Sequence, residues 1–159
     1  MRIVKEGREW QDDWILLADD EPLSATQAIV PLSCWLTASP VAGVSPHGLL
    51  VRPDDELGPV LAAALRSPLV AIDFPSFVDG RGYSFARQLR AAGYAGELRA
   101  VGDVLRDQAF YLARCGFSSF APAAHVTSAS FIAGLSDFSH VYQSAADGRT
   151  IIQRLRHAR

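Results

Sequence analysis

The run Leu69-Val70-Ala71-Ile72 leads into Asp73-Phe74-Pro75 and then Ser76-Phe77-Val78-Asp79-Gly80-Arg81-Gly82-Tyr83-Ser84. Four apolar residues without alternation suit a strand buried on both faces, as in a parallel sheet. Pro75 has no N–H to offer a ladder and ends the strand. Residues 84–92 carry Phe85, Leu89 and Ala92 on one helical face, and Gly93 fits a left-handed stop. Outward in both directions the alternation repeats. Upstream stand Leu49-Leu50-Val51, then a helix over 55–65 with Leu57, Val60, Leu61, Ala64 and Leu65 on one face, stopped by Ser67-Pro68. Downstream come a strand over 97–101, a helix capped by Asp103 running to Arg114 with Gly116 as its stop, and a strand over 117–122. Residues 14–18 and 28–32 could each add a strand, and 127–135 one more helix. Residues 150–155 read as a strand or an ordered tail, and the role of 144–159 is left open. The pattern predicts an α/β domain: a mostly parallel sheet of about four to six strands with helices outside. Rossmann-like and half-barrel-like arrangements both satisfy it. A closed eight-stranded α/β barrel needs ~250 residues and is excluded by length.

The chain has 159 residues, 49% of them apolar and 20% charged, which excludes a disordered chain. This length predicts one domain, with 1–48 as a looser N-terminal part set off by the Pro/Gly-rich loop at 39–48. The net charge of −2 gives no polyanion-binding character, and the basic tail of Arg154, Arg156, His157 and Arg159 is too short for a nucleic-acid arm. No run approaches a membrane span, and the N-terminus reads as no secretory signal, so a cytoplasmic location is expected. Charge is uneven. Residues 1–60 hold ten acids and four bases, a net of −6. The acids Asp12, Asp13, Asp19, Asp20 and Glu21 form a solvated face or a docking surface for a basic partner. Lys5 is the one lysine beside fourteen arginines.

In parallel α/β folds ligands gather at the carboxyl ends of strands. Two such ends are readable, Asp73 with the loop 76–84, and Gly102-Asp103. Gly80 and Gly82 let the backbone around Arg81 approach a ligand closely. The loop enters a helix whose first N–H groups are unpaired, an anion site in principle, with Arg81 and Arg87 adding charge and Tyr83 and Ser84 adding neutral donors. The alternative is a glycine-rich turn before a helix. Asp73 needs a partner wherever it is buried. Arg99 on the next strand would make that pairing structural, whereas Asp73 and Asp103 on adjacent strand ends would suit acid/base work. Cys115, at the negative pole of a helix, reads as a packed hydrophobe rather than a nucleophile, and Cys34 reads likewise. The four histidines show no metal spacing, and no cofactor ligand set is visible.

Several motifs fall in order and carry a resemblance. They are Ile72-Asp73-Phe74-Pro75 with Asp79-Gly80-Arg81-Gly82-Tyr83-Ser84, then Gly96-Glu97-Leu98-Arg99-Ala100 with Gly102-Asp103-Val104-Leu105-Arg106-Asp107-Gln108, then Arg114-Cys115-Gly116-Phe117, and Asp137-Phe138-Ser139 with Tyr142-Gln143. Together with Asp13-Trp14 and Ile29-Val30-Pro31-Leu32 they make the chain resemble, over roughly 13–143, the bacterial family known as domain of unknown function 934. Ser118-Ser119 stand where that family usually has an acid. The resemblance implies an oxidoreductase role in assimilatory sulfite reduction, because the family's genes neighbour those of sulfite reductase. It thereby implies an enzyme or accessory protein binding a small sulfur oxyanion at strand ends. The alternative is a non-catalytic adaptor or regulatory domain that binds the sulfite reductase through the acidic N-terminal part. In either case any redox cofactor would sit on a partner.

Overall fold

The computed structural model describes residues 1–18, 27–38 and 47–146. In chain order the strands are β1 (Arg2–Lys5), β2 (Arg8–Gln11), β3 (Ile15–Leu16), β4 (Ala28–Pro31), β5 (Gly48–Val51), β6 (Leu69–Phe74), β7 (Glu97–Gly102) and β8 (Ser119–Phe120). The helices are α1 (Leu32–Ala38), α2 (Leu57–Ala64), α3 (Arg81–Ala91), α4 (Ala109–Cys115) and α5 (Ser128–Gly134), with a 3-10 turn at Arg106–Gln108 before α4.

All eight strands form one sheet in the order β2-β1-β8-β7-β6-β5-β4-β3. From β3 to β8 neighbours are parallel, and β1 and β2 join antiparallel at the β8 edge. The sheet is thus mixed and larger than the four to six strands the apolar runs predict. The parallel part is as expected: β6, β7 and β8 are neighbours and run the same way. Sequential order with right-handed crossovers puts the helices on one side, the half-barrel alternative.

Side chains alternate between the two faces along each strand. Val30, Leu49, Val51, Val70, Ile72, Phe74, Leu98, Ala100 and Phe120 pack with the helices in the main core. Ile29, Leu50, Leu69, Ala71 and Val101 form a second core on the opposite, concave face, against Met1, Trp14 and Ala121. The chain connectivity explains why that face is buried. β2 and β3 lie on opposite edges of the sheet, yet only residues 12–14 join them. Four Cα steps reach at most about 14 Å, whereas a flat eight-stranded sheet would be ~34 Å across. The sheet therefore curls until its edges approach, and Trp14 falls across the concavity.

Local signals set most boundaries. Gly93 and Gly116 adopt the left-handed conformations, φ +89° and +104°, expected after α3 and α4. α3 begins at Arg81, three residues earlier than its apolar stripe predicts. α4 begins late, at Ala109, because the helix start falls to the 3-10 turn, where the Gln108 side chain accepts the Leu105 N–H at 2.8 Å. Asp103 does not open this helix. Most of the loop predicted at 39–48, and the segment 150–155, lie outside the described residues; Gly48 already belongs to β5.

Candidate functional site at the strand ends

Asp73 is the next-to-last residue of β6, and alternation with Val70, Ile72 and Phe74 sends its side chain to the concave face. It is half-buried. Burial pushes its carboxyl above the ordinary carboxylate range, and the charge of Arg52, just past β5, offsets part of that rise. Gly102, opposite Phe74 in register, has φ +93°. A Cβ there would stand 2.6 Å from Asp73 Oδ1 and 2.4 Å from the Phe74 carbonyl oxygen. Glycine at this position makes room for the Asp73 carboxyl. The Asp103 N–H donates to the Phe74 carbonyl at 2.7 Å. Its carboxylate accepts the Phe77 N–H at 3.0 Å, and Gln108 Nε2 donates to the Phe77 carbonyl at 3.1 Å. Asp103 therefore pins the loop after β6.

The predicted anion-binding residues do not converge. Arg81 is the first residue of α3, and its backbone N–H already donates to Asp79 Oδ1 at 3.0 Å. Its guanidinium pairs with Asp79 at 2.7 Å and Asp54 at 2.6 Å in solvent, and the Arg81 hydrogen bonds hold the Asp79 carboxyl below its usual range. The chain's own carboxylate thus occupies the place foreseen for an external anion. Tyr83 is wedged in the helix layer between Phe74 and Tyr111, ring centroids 5.2 and 5.0 Å away. Burial pushes its phenol up. Ser84 and Arg87 are exposed on α3.

Arg99 lies on the concave face, 1% exposed, and is not paired with Asp73. The register explains this: Arg99 stands opposite Ala71 and Ser119, two residues nearer the strand starts than Asp73. Its partners are Glu97 at 2.6 Å, Ser119 Oγ at 3.2 Å and the Asp12 carboxylate. Lys5 adds an ion pair to Glu97 at 2.6 Å. Burial alone would push the Glu97 carboxyl up, but hydrogen bonds from Lys5, Ser119 and Arg99 outweigh it and hold the group below its ordinary value. This network clasps β1, β7, β8 and the 12–14 link together.

Cys115 is buried, and burial pushes its thiol up, away from the thiolate a nucleophile needs. Cys34 is half-buried and packs on the main core. Among the described residues no three of His, Cys, Asp and Glu gather in a metal-holding arrangement, and no helix is long and apolar enough to cross a membrane. The residue that sequence reasoning missed is Arg52. Its signal was positional: it follows the apolar run Leu49-Leu50-Val51 at a strand end, as Asp73 follows its own.

The family described as "Bacterial protein of unknown function (DUF934)" matches residues 48–152. The chain belongs to this family. The matched DUF934 span opens at the first residue of β5 and contains Arg52, Asp73, Gly102 and Asp103, while β1 to β4 precede it. No curated protein and no solved structure matches the chain.

Proposed function

We propose that this DUF934 protein is an accessory protein or enzyme of assimilatory sulfite reduction that binds a small sulfur oxyanion at the carboxyl ends of β5, β6 and β7. The half-buried Asp73 carboxyl at the end of β6, which feels the charge of Arg52 just past the end of β5, is the observation that carries the reading. Arg52 supplies the charge for an oxyanion. Burial raises the proton affinity of the Asp73 carboxyl, which suits it to take up a proton and pass it to that anion. The electrons of any reduction come from a cofactor on a partner. Family membership supports the sulfur assignment through the gene neighbourhoods noted above. A strain lacking the gene tests it: growth should persist on cysteine, fail on sulfate and sulfite, and return with the wild-type gene but not with Arg52→Ala. Undiminished growth on all three sulfur sources would count against the role.

A second reading, a non-catalytic adaptor for the sulfite reductase, draws support from the hairpin side. A cleft of about 370 Å³ there is lined by Trp10, Lys5, Glu6, Asp12 and Asp13, with Trp10 47% exposed, Lys5 paired with Glu97 and Asp12 with Arg99. An exposed tryptophan among carboxylates suits a basic side chain of a partner. If the adaptor reading holds, the tagged protein retains the reductase and Trp10→Ala releases it.

A further inference from the structure

β2 is the last strand at one end of the sheet order, so one of its edges has no strand beside it. Which groups face that edge follows from the pairing with β1. Met1 and Asp12 exchange both of their backbone bonds, at 2.7 and 2.9 Å. With a period of two, Trp10 and Arg8 also turn their N–H and C=O toward β1, while Glu9 and Gln11 turn theirs outward. No described residue bonds to those outward groups. An edge of this kind is a template for another strand. All four side chains of β2 are exposed, and Trp10 leaves a large apolar surface in the middle of them.

We infer that this edge docks on the same edge of a second copy of the chain, antiparallel about a two-fold axis at Trp10. The segment Arg8-Glu9-Trp10-Gln11-Asp12-Asp13 is complementary to itself in that register. Glu9 of one copy stands opposite Gln11 of the other, and the outward N–H and C=O groups of both residues satisfy each other. Trp10 meets Trp10 as the close, non-hydrogen-bonded pair and forms an aromatic anchor at the centre of the patch. Arg8 comes to the acidic end of the other copy, at Asp12 and Asp13, and symmetry repeats that contact on the far side of the axis. Asp12 is taken by Arg99, but Arg8 and Asp13 are exposed and enter no ion pair with any described residue. The cation and the anion left over in one chain thus find each other in two. The charges also set the direction, since a parallel docking in register would lay Arg8 on Arg8 and Asp13 on Asp13. The inference is independent of the oxyanion reading, and it gives Trp10 a use other than the one in the adaptor reading.

The test is sedimentation equilibrium of the full chain over a rising series of concentrations. The patch is smaller than a standard interface of ~1,600 Å², so the expected dimer is weak, with a Kd on the order of tens of micromolar. Added salt should weaken it further, because part of its attraction is between exposed charges. Trp10→Ser and Arg8→Glu should each raise the Kd by about tenfold or more. Both positions are exposed, and thermal melts check that each variant keeps the fold. A wild type that stays monomeric well above that concentration would overturn the inference and leave the oxyanion and adaptor readings standing. A dimer unchanged in both variants would place the interface elsewhere and overturn it equally. A dimer lost in Trp10→Ser but unchanged in Arg8→Glu would overturn the antiparallel register.

Discussion

A methyl group at position 102 would meet the Asp73 carboxylate on one side and the Phe74 carbonyl on the other. The backbone there also has a φ that L side chains rarely adopt. Gly102→Ala is therefore expected to cost about 1–3 kcal/mol of stability, read from urea unfolding. It should also displace Asp73, so ligand binding falls further than the stability loss alone accounts for. Asp73 has a pH signature. Its folded pKa is raised by burial, so its favourable contribution is full below the ordinary carboxylate range and is lost as pH rises through the folded value. At neutral pH the ionised group is a burden on the fold. Asp73→Asn should melt higher than wild type at pH 7, and the advantage should vanish in acid. An equal or lower melting temperature at pH 7 would show that Arg52 outweighs burial. Cys115 gives a third expectation at this scale: a thiol reagent at neutral pH should label Cys34 well before Cys115 in the native protein.

At the scale of elements, Arg99 is the piece on which closure depends. Its guanidinium is fully buried and meets Glu97, Ser119 and Asp12, drawing the 12–14 link onto the concave face. Removing one partner of such a network leaves opposite charges buried without compensation, so Arg99→Ala should cost about 3–5 kcal/mol. Hydrogen exchange should show β1 and β2 losing protection before β6 and β7. The parallel strands were legible because strands covered on both faces read as unbroken apolar runs. The β1–β2 hairpin was not. All four residues of β2, Arg-Glu-Trp-Gln, are exposed, so no buried stripe marks it. Its turn is Glu6-Gly7, with φ +53° and +68°, a weaker signal than the Asn-Gly or Asp-Gly such turns favour. Among the site residues, Asp73 was visible at its strand end. The work of Asp103 was not, since its hydrogen-bond partner Phe77 lies 26 residues away. Nor was the pairing of Arg81 with Asp54, 27 residues apart.

For the whole molecule, curling is what separates the two charged regions of the concave face. Near the strand starts Lys5, Glu97, Arg99 and Asp12 satisfy one another and hold the sheet closed. At the strand ends Asp73 stands half-buried within the electrostatic reach of Arg52, next along the concave face to a core of Leu50, Leu69, Ala71 and Val101. Ligands in parallel α/β folds gather at that end, and the residues there belong to the part of the chain that the family match covers. The most direct measurement is calorimetric titration of sulfite into the wild type, Arg52→Ala and Arg81→Ala. A charge-assisted contact is worth about 1.5–3 kcal/mol, so binding should weaken by one to two orders of magnitude in Arg52→Ala and stay unchanged in Arg81→Ala, whose charge Asp79 and Asp54 already hold. Loss of binding in Arg81→Ala with Arg52→Ala unaffected, or no binding by the wild type, would contradict the placement of the site at Arg52 and Asp73.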